Sequence, residues 1–137
     1  MQLPHGLPYK VHTNSELGLM LKGIKPLAIF SDSYEIFLES LVRYLRCFDR
    51  CVDEGMLTRW ELVRPMHFPH RPDIRGIHHV YYTLPGEEWR ASAMRDLLDS
   101  DGPWSAERER EFGRLLGYTD AQNDIWAERY PYQSTEA

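Results

Sequence analysis

The chain has 137 residues, of which 42% are hydrophobic and 27% charged, with a formal net charge of −5 at pH 7. That length and mixture suit one core folded without disulfides or metals and exclude a disordered tract. The acidic balance (13 Arg and 3 Lys against 21 Asp and Glu) offers no bulk attraction to nucleic acid or anionic lipid, so neither is expected as a partner. No apolar run approaches the roughly 18 residues a membrane span needs. Met1 to Gly6 lacks the basic stretch and apolar run of a signal peptide, so a cytoplasmic location is expected.

Tyr9 to His12 reads as a short strand. Thr13 and Glu16 have capping-box spacing, and Leu17, Met20 and Leu21 give the following helix an apolar face that Gly23 closes. Leu27 to Phe30 is a short uninterrupted apolar run, the pattern of a strand covered on both faces. Asp32 and Glu35 make a second capping pair for a long helix. Phe37, Leu41, Tyr44, Leu45, Phe48, Cys51 and Val52 fall on one side of that helix and charged residues on the other, with Gly55 as the stop. Thr58 to Val63 reads as a strand, residues 64–72 as a loop rich in Pro and His, and Ile77 to Leu84 as another strand. Residues 85–88 are turn chemistry. Trp89 to Ala93 alternates like the return strand of a hairpin before a helix starts near Met94, the favoured reading, while Ala91, Met94, Leu97 and Leu98 also suit a helix, so the state of residues 88–93 stays open. Ser105 caps a helix carrying Phe112, Leu115 and Leu116, closed by Gly117. Thr119 and Gln122 cap a last helix that ends at Pro131, and the residues after Tyr132 are expected to fray.

Cys47 and Cys51 are one helical turn apart, where disulfide geometry is poor, so both are expected as free core or boundary thiols.

The expected order is β-α-β-α-β, then a loop, a hairpin and a helix. Residues 11–17, the strand Lys25-Pro26-Leu27-Ala28-Ile29-Phe30, the segment Ile74-Arg75-Gly76-Ile77 and the stretch Tyr82 to Glu87 stand at spacings that resemble the thioredoxin family over roughly residues 9 to 93. The resemblance implies an α/β fold, a thioredoxin-like βαβαββα sheet covered by helices. A helical C-terminal extension over about 105–130 completes a single domain. It also implies where chemistry is missing. The family's Cys-x-x-Cys position reads Tyr34-Glu35-Ile36-Phe37-Leu38 here, and His78 stands where the family has its cis-proline. Dithiol exchange needs a thiolate at the helix N-terminus, so oxidoreductase activity is not expected. A cis bond before a non-proline residue is costly, so the family's backbone clamp is not expected either.

The resemblance leaves one corner as candidate ligand-binding site: Ser31, Asp32, Ser33, Tyr34 and Glu35 at a helix start, faced by His78. Helix capping alone also accounts for Asp32, Ser33 and Glu35. His67, His70, His78 and His79 are close in sequence, but two are adjacent on a strand and point to opposite faces, and no zinc spacing is present. No metal or cofactor is expected. Glu87 and Glu88 read as a charged turn rather than an acid/base pair. Tyr81, Tyr82, Trp89, Trp104 and Trp126 read as core. The expectation is a redox-inactive thioredoxin-like module that binds a ligand, a protein partner or a second copy of itself. A small enzyme using a metal or acid/base site near residues 31–35 and His78, and a structural accessory subunit, are the alternatives.

Overall fold

The structure, a computed structural model, describes residues 7–131. The readings of Met1 to Gly6 and of fraying beyond Tyr132 lie outside these residues. The elements are α1 (Glu16–Leu21), β1 (Leu27–Ser33), α2 (Glu39–Asp53), β2 (Thr58–Pro65), β3 (Gly76–Thr83), α3 (Trp89–Asp99), α4 (Ala106–Leu115) and α5 (Asp120–Arg129).

The fold is mixed α/β around a three-stranded sheet in the order β1-β3-β2, with both pairings antiparallel. The hairpin of β2 and β3 occupies one edge of β3 and β1 the other. The βαβ opening expected from sequence, with strands at Tyr9–His12 and Leu27–Phe30, does not form, because residues 9–12 are not a strand. Here β1 and β2 run in the same direction with β3 between them, a split βαβ arrangement.

Strand alternation sends successive side chains of β3 to opposite faces, and each face has its own core. Val80 and Tyr82 meet Ala28, Leu45, Phe48, Leu57 and Met20 under α1 and α2. Tyr81 meets Leu27, Ala91, Met94 and Leu115 under α3 and α4. The apolar stripe of α2 packs as its spacing predicts, with Leu45 and Phe48 buried and Phe37, Leu41, Tyr44, Cys51 and Val52 around them. Burying a side chain such as Phe48 contributes about 1.5–3 kcal/mol. Leu115 reaches the second core, so the C-terminal helices complete the sheet's covering rather than trailing from it.

Four sequence expectations are corrected. Tyr9 to His12 forms no strand, because the backbone N–H of His12 donates to the Tyr118 hydroxyl, 2.8 Å away, instead of to a ladder. α1 starts after Ser15 without a side-chain cap: Asn14 takes a left-handed φ of 66°, and Glu16 accepts a hydrogen bond from the Tyr44 hydroxyl instead of bonding back to Thr13. α2 starts at Glu39 rather than after Asp32, because pairing with β3 extends β1 to Ser33 and a tight turn with Glu35 at φ 64° follows. Trp89 to Ala93 is helical, since both edges of β3 are already taken and a return strand has none left to join. Ala91 and Met94 face the core at helical spacing, while Trp89 remains exposed.

The expected caps of the last two helices are present: Ser105 accepts from the N–H of Arg108, and Thr119 with Gln122 forms a complete capping box. Gly117 closes α4 at φ +100°, and a Cβ there would lie 2.5 Å from Cδ of Pro26. Gly117→Ala is therefore expected to cost about 1–3 kcal/mol in urea unfolding. Gly18, inside α1 with open space around it, is the control. Gly18→Ala should stabilise by about 0.5–1 kcal/mol. Equal effects of the two substitutions would contradict this account of Gly117.

Candidate functional site

Of the six residues expected at the corner, Tyr34, Glu35 and His78 line one concavity, and Ser31, Asp32 and Ser33 do not. Strand pairing sets Ser31 opposite His79, Asp32 opposite His78 and Ser33 opposite Ile77, and alternation separates Asp32 and His78 from Ser31 and Ser33. The Asp32 carboxylate accepts the N–H groups of Ser33 and Leu38 at 2.8 and 2.9 Å, which fixes the loop before α2. Tyr34, Glu35, Phe37 and His78 line a shallow, open concavity of about 310 Å³. Its polar side chains are already paired: Glu35 with Arg75, which also lies over the Tyr34 ring, and His78 Nε2 with Glu61 at 2.7 Å.

That last pair ends a chain of polar side chains across the α2 face. The Tyr82 hydroxyl donates to Asp49 at 2.7 Å, Asp49 meets Arg59 at 3.2 Å, and Arg59 meets Glu61 at 3.4 Å. On the other face Ser31 Oγ lies 2.6 Å from His79 Nδ1. Burial, and secondarily the Arg64 cation, lower the His79 pKa. A nucleophilic triad would need a carboxylate to orient that imidazole, and Asp99 is instead ion-paired with Arg64.

His67 and His70 are exposed in the loop between β2 and β3. No group of three or more His, Cys, Asp or Glu side chains is placed to hold a metal among the described residues. Cys47 and Cys51 are free thiols in the second half of α2, and burial raises the Cys51 pKa, away from thiolate chemistry. No described helix is long and apolar enough to cross a membrane.

The most unusual chemistry lies where no motif pointed. Lys25, at the entry to β1, is only 2% exposed. Its Nζ lies 2.8 Å from His12 Nδ1 and donates to the carbonyl of Leu116, the last residue of the α4 turn, at 2.9 Å. The His12 ring stacks on Tyr118 with centroids 3.8 Å apart and planes 9° from parallel. Two cavities adjoin here. One of about 200 Å³ is lined by His12, Glu16, Lys25 and Ile29, and one of about 230 Å³ by Tyr9, Glu109, Asn123 and Trp126. Thr13, Phe112, Leu116 and Tyr118 line both. Asn123, 9% exposed, has no hydrogen-bond partner for its Nδ2 among the described residues.

A larger groove of about 410 Å³ lies between α4 and α5, where Arg110 pairs with Asp124 and Arg114 with Glu111. The Tyr118 cleft differs from it by holding a buried amine. Burial pushes the Lys25 pKa down to about 7, against a smaller opposing effect of Glu16. Burial, with the Lys25 charge second, lowers His12 to about 4. An amine about half neutral near pH 7 offers both a nucleophile and a base. The sequence around Lys25 gives no periodic signal of this, because the partners, His12, Leu116 and Tyr118, are remote along the chain.

No family model, curated protein or solved structure matches this chain.

The lowered pKa values fix the sign of a pH effect. An unfolded chain holds the Lys25 proton up to its ordinary value of 10.5, while the folded protein releases it near 7. The unfolded state therefore binds more protons across that window, and stability rises with pH within it. His12 acts in the same direction between about 4 and 6.5. Above pH 10 the raised hydroxyl pKa values of Tyr44 and Tyr82 reverse the trend. Urea unfolding from pH 7 to 9.5 should show stability climbing in the natural sequence and nearly flat in Lys25→Met. Parallel slopes for the two proteins would refute the burial of a titrating amine.

Proposed function

We propose that this chain is a small-ligand binding module whose site is the cleft between His12–Thr13 and the α4–α5 pair. The buried Lys25 amine on the wall of a cavity carries this reading. Stable folding alone favours an apolar residue at such a position, because burying an amine costs several kcal/mol unless its partners compensate. Tyr118 and Phe112 offer flat apolar walls, Lys25 and Asn123 offer polar groups, and Glu16 and Glu109 border the two cavities. Each cavity alone is smaller than the roughly 300–1,000 Å³ of a drug-sized pocket, so the occupant is a compact molecule of a few heavy atoms. A molecule with a carbonyl or carboxylate oxygen complements the Asn123 Nδ2 donor, which has no partner among the described residues.

In this reading the thioredoxin-like segments supply scaffold and no inherited thiol chemistry. Tyr34, Glu35, Phe37 and His78, the more open corner, support binding less well, because Arg75 and Glu61 already engage Glu35 and His78.

Thr13 is exposed and lines both cavities, so it can be enlarged without disturbing the core. Titration of the isotope-labelled protein with pyruvate, benzoate and acetamide, followed by amide NMR, should give shifts clustered at Thr13, Phe112, Leu116 and Tyr118. Thr13→Trp should weaken whichever compound binds by about tenfold or more, about 1.4 kcal/mol. Shifts gathered at Tyr34, Phe37 and His78, or unaffected by Thr13→Trp, would move the site elsewhere.

A further inference from the structure

Resting on the binding reading above, we propose that Lys25 is a covalent attachment point, whose amine forms an imine with a small aldehyde or ketone seated in the Tyr118 cleft. Three observations carry this. Lys25 Nζ has two neighbours within hydrogen-bond distance among the described residues, the Leu116 carbonyl, which accepts, and His12 Nδ1, which accepts when the ring proton is on Nε2. With His12 in that tautomer a neutral amine has two N–H donors for two acceptors and one lone pair to spare, whereas an ammonium would leave a third donor unmatched. No carboxylate lies within ion-pair distance of Lys25 among the described residues, so no direct counter-charge holds the ammonium form. Lys25 lines a cavity with His12, Glu16 and Tyr118, which gives a carbonyl compound somewhere to sit beside the amine.

The groups facing the amine set both its charge and the proton path. From α1 comes Glu16, whose carboxylate is engaged by the Tyr44 hydroxyl of α2. From the N-terminal segment comes His12, and from the turn after α4 the Leu116 carbonyl and the Tyr118 ring, 5.9 Å from Nζ to its centroid. The negative end of the α4 dipole and Glu16 both favour an ammonium. Removal from water opposes them and prevails.

The step balances without an added oxidant or reductant. The Nζ lone pair attacks the carbonyl carbon, and the carbonyl π pair moves to oxygen. His12 Nδ1, already hydrogen-bonded to Nζ, accepts the amine proton and returns it to the carbinolamine oxygen. The second N–H proton passes to the carbinolamine hydroxyl as the nitrogen lone pair forms the C=N bond, the C–O bond breaks, and the oxygen departs as water. The products are one imine and one water, and the reverse reaction is hydrolysis.

The chain has three lysines, Lys10, Lys22 and Lys25, and the first two are exposed. They provide an internal competition. The folded full-length protein is incubated at pH 7.5 with pyruvate or acetaldehyde and sodium cyanoborohydride, and adducts are located by peptide mass spectrometry. Lys25 should be labelled at least about tenfold faster than Lys10 and Lys22, because ordinary lysines are about a thousandth neutral at that pH. The advantage should vanish in urea, and His12→Ala should slow labelling of Lys25 alone. Amide NMR on each variant establishes that it is folded, and Thr13→Trp covers the case in which Lys25 and His12 variants are not.

Equal or slower labelling of Lys25 in the folded protein overturns the imine proposal. If pyruvate still shifts the cleft amides in that case, binding stands and the covalent step falls. If neither shifts nor Lys25 adducts appear, both fall. Fast labelling of Lys25 that Thr13→Trp abolishes supports both.

Discussion

Val80, Tyr81, Tyr82 and Thr83 at the end of β3 are each 2% exposed or less, and successive side chains enter different cores. A strand covered on both faces and paired along both edges leaves its neighbours little freedom. Its register dictates which β1 and β2 side chains meet α2 and which meet α3 and α4. A one-residue slip would exchange Tyr81 for Tyr82 and put every partner on the wrong side. The same constraint separates Asp32 from Ser31 and His78 from His79, and so divides any site assembled from consecutive residues of these strands.

The second constraint acts at the end of α4. Three of its terminal carbonyls accept hydrogen bonds from cationic side chain types: Arg90 reaches the carbonyls of Arg114 and Leu115, and Lys25 reaches that of Leu116. Orphaned carbonyls at a helix end need such partners, and the dipole favours donors there. Arg90 is braced by Glu87, whereas Lys25 is braced by the neutral His12 ring. The two contacts do the same structural work, yet only Lys25 is removed from water without a carboxylate beside it. Its position also follows from backbone geometry, since Gly117 brings the chain against Lys25 and Pro26 at a distance a Cβ would forbid.

What could be read from sequence follows the range of the interactions involved. The α2 stripe, the strand cores, and the caps at Ser105 and Thr119 are local patterns, and the fold keeps them. The start of α2 and the state of residues 89–93 depend on which strand edges are occupied, information no window of a dozen residues contains. Asp32 and Glu35 have N-cap spacing, but one sits in a ladder and the other in a left-handed turn. The Tyr118 cleft was invisible for the same reason: Lys25 and Leu116 are separated by 91 positions, and His12 and Tyr118 by 106. The one available hint was compositional, one of only three lysines, against 13 arginines, standing two residues before a buried strand.

Two polar groupings thus lie near the sheet, and their chemistry differs because their solvation does. Asp49, Arg59 and Glu61 alternate in sign, are substantially exposed, and end on His78. Water and opposite charge both stabilise their ionic forms, and exposed pairs of this kind contribute no more than about 1 kcal/mol each. Lys25 and His12 both bear basic nitrogens and share one proton between acceptor and donor. Holding both as cations in a dry site would put like charges 2.8 Å apart. The Lys25 charge therefore adds to burial in keeping the His12 ring neutral, whereas burial alone lowers Lys25. The amine satisfies the helix end and, when neutral, carries a lone pair on nitrogen, so the contact that fastens α4 to the start of β1 is also the one on which the imine proposal rests.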